Sequence, residues 1–471
     1  MNRLTPRVAF AIVLFGAVLR VATLNYHSLW LDETFDIWAA TQHSAETIWA
    51  SRLDPNEPAL YYWLLHHFLA LTGVSEMTAR LPSALASIAG LGLLYALGRT
   101  LFPKTPIGRL AAVLLALAPL DFWYAQEARM HGLVAPAGVL LALGLVLDRW
   151  WAPALVVAGL AFGLSLDHTM WPVAIVVFSA WVVLWFNGRR ETRSLVRALA
   201  GIGVALWLYS PTWSQAADVY ARLNTVPFFA NARKFFGIES LTIVSLPTVL
   251  VLCFAICTIV CAALWSLARR QSLGPAVEIG IVGAFLVATV LTVVPRAYGL
   301  KQILVGVWPL AVLAAAWALA AWERRREETG FVRADWWRHP VVLAVLISVC
   351  AQLATFATPK ADWRGIAAHL TDAGSASPLR PVIVLDPPYN SLPFGFYAPI
   401  YPVVKGPVRS LEGLATAVGE NTEVCLVAER FGSRPPTSPS EVWLDQNLVR
   451  ASTTAFARLE LRCYRVRPSE P

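Results

Sequence analysis

Charge is scarce in this chain. Asp, Glu, Lys and Arg together supply only 14% of its 471 residues, while 57% are hydrophobic and the mean hydropathy is +0.56. A soluble domain carries about a quarter charged residues, so this composition excludes a wholly soluble protein and points to an integral membrane protein. Phosphate-cradling glycine loops are missing too. There is no G-x-x-x-x-G-K-[ST] and no convincing G-x-G-x-x-G, which argues against nucleotide-sugar chemistry on cytosolic loops. Internal repeats and low-complexity tracts are absent, which weakens a transporter built from paired repeats. The first apolar segment lacks a small-residue cleavage pattern near Leu24-Asn25-Tyr26, so it reads as a retained helix rather than a removed signal peptide.

Cysteine is sparse, at six residues. Cys253, Cys257 and Cys261 recur on one stripe of an apolar run and read as small packing residues rather than metal ligands. Cys425 and Cys463 both fall in predicted strands, where an oxidising compartment would permit a disulfide; the sequence leaves that pairing open. The net charge of +8 does not mark a nucleic-acid partner, because the arginines cluster in short loops such as Gly188-Arg189-Arg190 and Arg324-Arg325-Arg326. The 20 tryptophans suit many membrane–water boundaries.

What the chain has in abundance is apolar runs. Taking roughly 17–25 residues per span, about eleven spans are expected. They centre on Val8–Leu24, Leu81–Leu97, Leu110–Tyr124, Leu133–Leu147, Ala152–Leu166, Pro172–Phe186, Leu195–Tyr209, Ile243–Trp265, Val277–Val294, Ile303–Trp322 and Val341–Phe356. Loop Lys and Arg concentrate on one side, with Arg99, Lys104, Arg109, Arg269, Arg270, Arg333 and Arg338 among them. The bias predicts a cytoplasmic N-terminus and an exocytoplasmic C-terminus. Leu60–Leu71 is too short for a confident span and suits an interfacial or re-entrant helix in the first outer loop.

Past Phe356 the composition becomes that of a soluble domain. Trp363, Ile366, Ala367 and Leu370 share one helical face, and Val382–Leu385, Glu423–Ala428 and Leu459–Val466 read as strands. Ser433–Ser440, with three prolines, reads as a loop. The expected fold class is an α-helical polytopic membrane protein with a small C-terminal soluble α/β domain. The expected division is a transmembrane domain over 1–357, including a first outer loop at 25–80 with interfacial helices, and an exocytoplasmic domain over 358–471.

Ionisable residues gather at the predicted outer face. Asp32, Glu33, Asp36, Asp54 and Glu57 lie in the first outer loop; Asp121, Gln126, Glu127, Arg129 and His131 lie around the next one. Asp167 and His168 end the fifth span, and Arg296 and Lys301 flank a short later loop. Each has a plain structural reading: Asp54 as a solvated carboxylate, Glu127 and Arg129 as an ion pair, His168 as a cap, Arg296 and Lys301 as snorkelling side chains. Asp32-Glu33, directly after Trp30-Leu31 at the boundary, is harder to assign to structure alone. A carboxylate that takes the proton of a hydroxyl makes its oxygen a better nucleophile, and fixed Arg and Lys charges stabilise a departing phosphate. Those are the needs of glycosyl transfer from a lipid-phosphate sugar.

An ordered set of motifs carries a resemblance. Leu29-Trp30-Leu31-Asp32-Glu33 is followed by Glu57-Pro58-Ala59-Leu60-Tyr61-Tyr62-Trp63, Thr78-Ala79-Arg80-Leu81-Pro82-Ser83, Tyr124-Ala125-Gln126-Glu127-Ala128-Arg129-Met130 and Asp167-His168-Thr169. The chain resembles the GT-C membrane glycosyltransferases, in the branch of the protein O-mannosyltransferases and the lipid A aminoarabinose transferases. That resemblance implies inverting transfer, as a hexosyl- or pentosyltransferase, from a polyprenyl-phosphate-linked sugar. It implies Asp32 as base with Glu33 as its partner. Glu57, Tyr61, Tyr124, Gln126, Glu127, Arg129, His131, His168, Arg296 and Lys301 are the implied substrate-binding residues. Where relatives often place a basic residue or His before Pro58, this chain has Glu57; their second proline is Ala59, and their Arg-Tyr before a late span is Lys301-Gln302.

No cofactor is called for. A divalent metal is compatible with the many carboxylates, but no ligand spacing requires one. The expected partners are a polyprenyl-phosphate sugar donor, membrane lipids and a glycan, lipid or protein acceptor, with no nucleic acid. The expected location is a bacterial plasma membrane. A lipid-linked-sugar flippase, or a non-catalytic glycolipid-binding relative, is the alternative.

Overall fold

The computed structural model describes residues 5–51, 53–54, 57–186, 192–215, 218, 281, 298–328, 340–357, 360–374, 381–404, 423–430 and 438–465. The chain forms two compact units. The first comprises Met1–Thr23, His43–Gly73 and Thr78–Phe356, and the second Leu24–Gln42, Val74–Met77 and Ala357–Pro471. The second unit therefore draws in two segments that the sequence division assigned to the membrane part of the chain.

The first unit is helical. Its elements are α1 (Pro6–Ala22), α3 (Ala45–Ser51), α4 (Leu60–Thr72), α5 (Glu76–Leu101), α6 (Ile107–Ala116), α7 (Pro119–Ala125), α8 (His131–Val146), α9 (Ala152–Leu166), α10 (Met170–Leu184), α11 (Thr192–Tyr209), α12 (Tyr298–Glu328) and α13 (Pro340–Ala357). Three helices among the described residues, Glu76–Leu101, Thr192–Gln215 and Val305–Arg324, are long and apolar enough to cross a membrane. The predicted runs Ile243–Trp265 and Val277–Val294, with Cys253, Cys257 and Cys261, lie outside the described residues apart from Ile281. At 13 residues, α4 is about 20 Å long, short of a span.

One expected span is broken. The apolar run Leu110–Tyr124, expected as one span, is split between α6 and α7, which meet at a 57° bend. Ala118 is extended ahead of Pro119, whose ring cannot continue the helix and disfavours a helical conformation in the residue before it. A break inside an apolar core strands carbonyl oxygens that must find donors. Arg20, fully buried in the last turn of α1, supplies them. Its guanidinium donates to Ala116 O at 3.0 Å and Leu115 O at 3.1 Å, to Gly16 O at 2.9 Å, to Ser87 Oγ at 2.8 Å and to Asp121 Oδ2 at 2.7 Å. Ser87 Oγ also donates to the same carboxylate oxygen at 2.6 Å. Close approach is what makes this reach work, since a Cβ at Gly16 would stand 2.9 Å from Ala116 O.

Among the described residues, the second unit holds α2 (Leu31–Thr41), a five-stranded sheet and the helices α14 (Trp363–Gly374), α15 (Ser391–Tyr397) and α16 (Pro439–Asn447). The strands β1 (Val382–Asp386), β2 (Val403–Val404), β3 (Val424–Glu429), β4 (Val449–Phe456) and β5 (Leu459–Arg465) run in the order β2-β1-β3-β5-β4. β1 is parallel to β2 and β3, and β5 is antiparallel to β3 and β4. Alternation sorts the strands onto two cores. Ile383, Leu385, Cys425, Val427, Leu461 and Cys463 pack with Trp363, Ile366, Leu370 and Phe394; Val384, Val424, Leu426 and Tyr464 pack with Leu444 and Leu448. Cys425 and Cys463 stand opposite each other on β3 and β5 and form a disulfide. Pro439 and Ser440, expected in a loop, instead open α16, where Ser438 and Glu441 close a capping box.

Removing one partner of the Arg20–Asp121 pair leaves a buried charge uncompensated. Asp121→Ala is expected to cost about 3–5 kcal/mol in unfolding of the purified protein, and the apolar pair Arg20→Met with Asp121→Leu to recover much of it. A single variant as stable as wild type contradicts the assignment.

Candidate functional site

In the second unit, α2 begins at the Trp30-Leu31-Asp32-Glu33 motif, and its first turn separates the two carboxylates. Glu33 is fully buried and turned back on the helix start, where it accepts from the Trp30 amide at 3.2 Å. Lys360, itself buried, brings its ammonium to 3.5 Å from Glu33 Oε2 and 5.7 Å from the centre of the Trp30 ring. The preceding amide, Leu29 N–H, donates to Tyr397 Oη at 2.7 Å, and that hydroxyl donates to Glu76, which also receives Arg364. Ser28 Oγ accepts from the Arg364 amide at 3.3 Å. The entry to α2 is thus fixed by residues remote in sequence. Asp32 is only half-buried, so within this turn it is the accessible carboxylate, while Glu33 is committed to holding the turn. Asp36, one turn on, is buried.

In the first unit, a second group assembles from the loop before α4, the α7–α8 junction and the end of α9. Arg129 Nη2 meets Glu57 Oε1 at 2.7 Å, and Tyr62 Oη donates to Glu57 Oε2 at 2.9 Å. Gln215 donates to the Glu57 carbonyl at 2.8 Å. Burial pushes the Glu57 carboxyl above the usual carboxylate range; Arg129 pulls it down, and the neighbouring Asp167 charge adds to the rise. His131 Nδ1 lies 2.6 Å from Asp167 Oδ2, and the Tyr124 ring packs edge-on to His131 with centroids 5.2 Å apart. Asp167 Oδ1 accepts from the Thr169 amide at 2.7 Å. Burial would raise the Asp167 carboxyl, but His131 and the Thr169 amide outweigh it and hold it at about 2. His168 Nδ1 reaches Tyr209 Oη at 3.3 Å. Tyr124 Oη and His168 Nε2 are buried without a hydrogen-bond partner among the described residues. Such atoms are rare in a folded interior and are the polar handles this cluster offers to a ligand.

The remaining expected residues divide. Tyr61 and Glu127 are buried in the first unit. Gln126 was assigned to substrate, but its amide donates to Arg20 O at 2.7 Å and accepts from Thr23 Oγ1 at 3.2 Å, so it finishes the end of α1. Asp54, expected to be solvated, is half-buried, and its carbonyl accepts from Gln215 at 3.4 Å. Arg296 lies outside the described residues; Lys301 falls within α12, but its side chain lies outside them. The sequence reading passed over Arg20, Glu76, Lys360, Arg364 and Tyr397, all engaged by partners distant in sequence. Glu423, Cys425 and Cys463 bring potential metal-ligand atoms within 4.8 Å of one another, but the two sulfurs are bonded to each other and so supply no thiolate.

The Glu57–Arg129 pair is testable by a double-mutant cycle. Glu57→Gln and Arg129→Gln each leave one buried charge, so the double variant is expected to be more stable than the summed single losses by about 0.5–3 kcal/mol. Simple additivity in thermal or denaturant unfolding contradicts an energetic coupling.

Part of the chain is similar to known proteins. Residues 56–214 match the family model described as dolichyl-phosphate-mannose-protein mannosyltransferase, a stretch that holds Glu57, Arg129, His131, Asp167 and His168. The candidate mannosyltransferase YycA of Bacillus subtilis (strain 168) is 25% identical over 237 residues, covering 45% of this chain; the match spans 33% of that relative's length. Among solved structures, ArnT from Cupriavidus metallidurans matches in the apo state with a TM-score of 0.49 and 16% identity, covering 96% of this chain and 97% of that one. The same protein bound to undecaprenyl phosphate matches with a TM-score of 0.47, again at 16% identity and the same coverage. An Archaeoglobus fulgidus oligosaccharyltransferase in the apo form matches at 0.41 and 11% identity, covering 91% of this chain and 70% of that one. Its own long apolar helices mark the chain as an integral membrane protein. Over residues 56–214, about a third of its length, the chain is similar to the dolichyl-phosphate-mannose-protein mannosyltransferases.

Proposed function

We propose that this chain transfers a sugar, with inversion, from a polyprenyl-phosphate-linked donor to an acceptor hydroxyl at the outer face of a membrane. The observation that carries this reading is the family match over 56–214, whose described activity uses a lipid-phosphate mannose and whose residues here form the Glu57–Arg129–His131–Asp167 cluster. Asp32 takes the proton of the acceptor hydroxyl. The oxygen's electron pair forms the new bond to the anomeric carbon, and the carbon–oxygen bond to phosphate breaks, its electron pair leaving on the lipid phosphate. Arg129, with Lys301 and Arg296, offsets the charge that grows on that leaving group. Tyr61, Tyr124, Glu127, His131 and His168 are assigned to donor and sugar. Glu33 positions Asp32 by fixing the first turn of α2.

The same reading includes about eleven spans with the N-terminus inside, and places the α/β region, 358–471, outside a bacterial plasma membrane. The Cys425–Cys463 disulfide supports that side, because structural disulfides persist in oxidising compartments.

Asp32→Asn tests the chemistry directly. Sugar transfer from a panel of polyprenyl-phosphate sugars into a crude membrane acceptor pool is expected to fall by about 10²–10⁴-fold, with folding unchanged. Undiminished transfer by the variant removes Asp32 as the base.

A further inference from the structure

Away from the residues assigned to sugar transfer, the first unit holds an open cavity of about 680 Å³ whose lining includes Arg99, Lys104, Arg109 and Arg324. No carboxylate lines it, and none among the described residues is in an ion pair with Lys104, Arg109 or Arg324. These four cations come from three helices and a turn. Arg99 ends α5, Arg109 sits in the first turn of α6, Arg324 projects from α12, and Lys104 occupies the connection between α5 and α6.

Their convergence is built into the packing. A Cβ at Gly98 would stand 2.6 Å from Gly108 Cα and 3.3 Å from Leu313 Cδ1. The backbones of α5 and α6 therefore touch one turn or less from Arg99 and Arg109, with α12 against the same point. Lys104 has a φ of 64°, a left-handed conformation uncommon for a residue with a Cβ, so its place in the turn is held against a local cost. Arg99 is likewise pre-positioned, with Nη1 3.3 Å from Tyr95 Oη and its guanidinium 5.9 Å from the ring centre. The start of α6 opens onto the cavity through Thr105, Pro106 and Arg109, adding the positive end of a helix dipole.

Like charges brought together around a concave opening repel one another, and the field they focus is relieved by an anion. Guanidinium forks paired with an ammonium match phosphate oxygens, and basic pockets between membrane helices commonly take lipid headgroups. We propose that this cavity is a second ligand site, separate from the residues of sugar transfer, and that it binds a phosphate group borne by an anionic lipid or by a soluble phosphate compound.

The test uses the full chain, purified and delipidated in neutral detergent. Binding is followed by calorimetry with inorganic phosphate, with short-chain phosphatidic acid, and with short-chain phosphatidylcholine as the neutral control. Wild type is expected to bind one or both phosphate probes in preference to phosphatidylcholine; phosphatidic acid alone identifies a lipid headgroup, and comparable binding of inorganic phosphate a soluble source. The double variant Lys104→Gln with Arg109→Gln, which removes two charge-assisted contacts, is expected to bind about tenfold or more weakly. Arg149→Gln, an exposed arginine outside the cavity lining, is expected to bind as wild type does. If the double variant fails to fold, exposed Arg99→Gln supplies the same comparison. Absence of preference for phosphate, or an equal affinity in the cavity variants and wild type, overturns the proposal.

Discussion

Arg20 is the point on which the first unit turns. A guanidinium with no solvent exposure inside an apolar helix is tolerable only if its charge is paired and its donors are satisfied. Asp121 supplies the charge, and Ser87 and three carbonyls take the other donors. Two of those carbonyls, on Leu115 and Ala116, lie at the end of α6 just ahead of the break at Ala118-Pro119. The break and the buried arginine therefore stabilise each other. The consequence reaches the candidate site, because α7 ends at Ala125 and the next residues carry Gln126, Glu127 and Arg129. Gln126 reinforces the arrangement by bonding the end of α1.

Scarcity of charge also shapes how each acidic residue is used. In the second unit, adjacent carboxylates meet opposite fates: Glu33 is buried against Lys360 and the Trp30 amide, and Asp32 stays half-exposed in the same turn. In the first unit, Glu57 answers Arg129 with a carboxylate. Arg129 is thereby held in place, at the expense of part of the positive charge that a phosphate would otherwise meet.

Much of the second unit was legible in the sequence because its signals are local. Trp363, Ile366, Ala367 and Leu370 recur at helical spacing and all turn inward, and β1, β3 and β5 are apolar runs bounded by turn residues. β4 was missed: Val449–Phe456 is a mostly exposed edge strand, so no alternation marks it. Pro119 carried a readable warning of the broken span, but a continuous apolar run outweighed it. Arg20 gave no signal, since a lone arginine near a helix end looks like one that snorkels to water. Nor did Lys360 with Glu33, or Arg364 and Tyr397 with Glu76, because pairing between distant segments leaves no periodic mark. The motifs Glu57, Arg129, His131 and Asp167 could be read as polar residues of one face, while their actual pairings, Glu57 with Arg129 and His131 with Asp167, required the fold.

The central claim is that this protein breaks the bond between sugar and lipid phosphate. The direct measurement reconstitutes the purified chain in vesicles with a polyprenyl-phosphate sugar labelled in the sugar, adds an acceptor extract, and follows the label and the free lipid phosphate together. The account predicts one polyprenyl phosphate released for each sugar joined to a hydroxyl, with inverted anomeric configuration. Label that stays on its lipid and merely crosses the bilayer, with no lipid phosphate released, would contradict it.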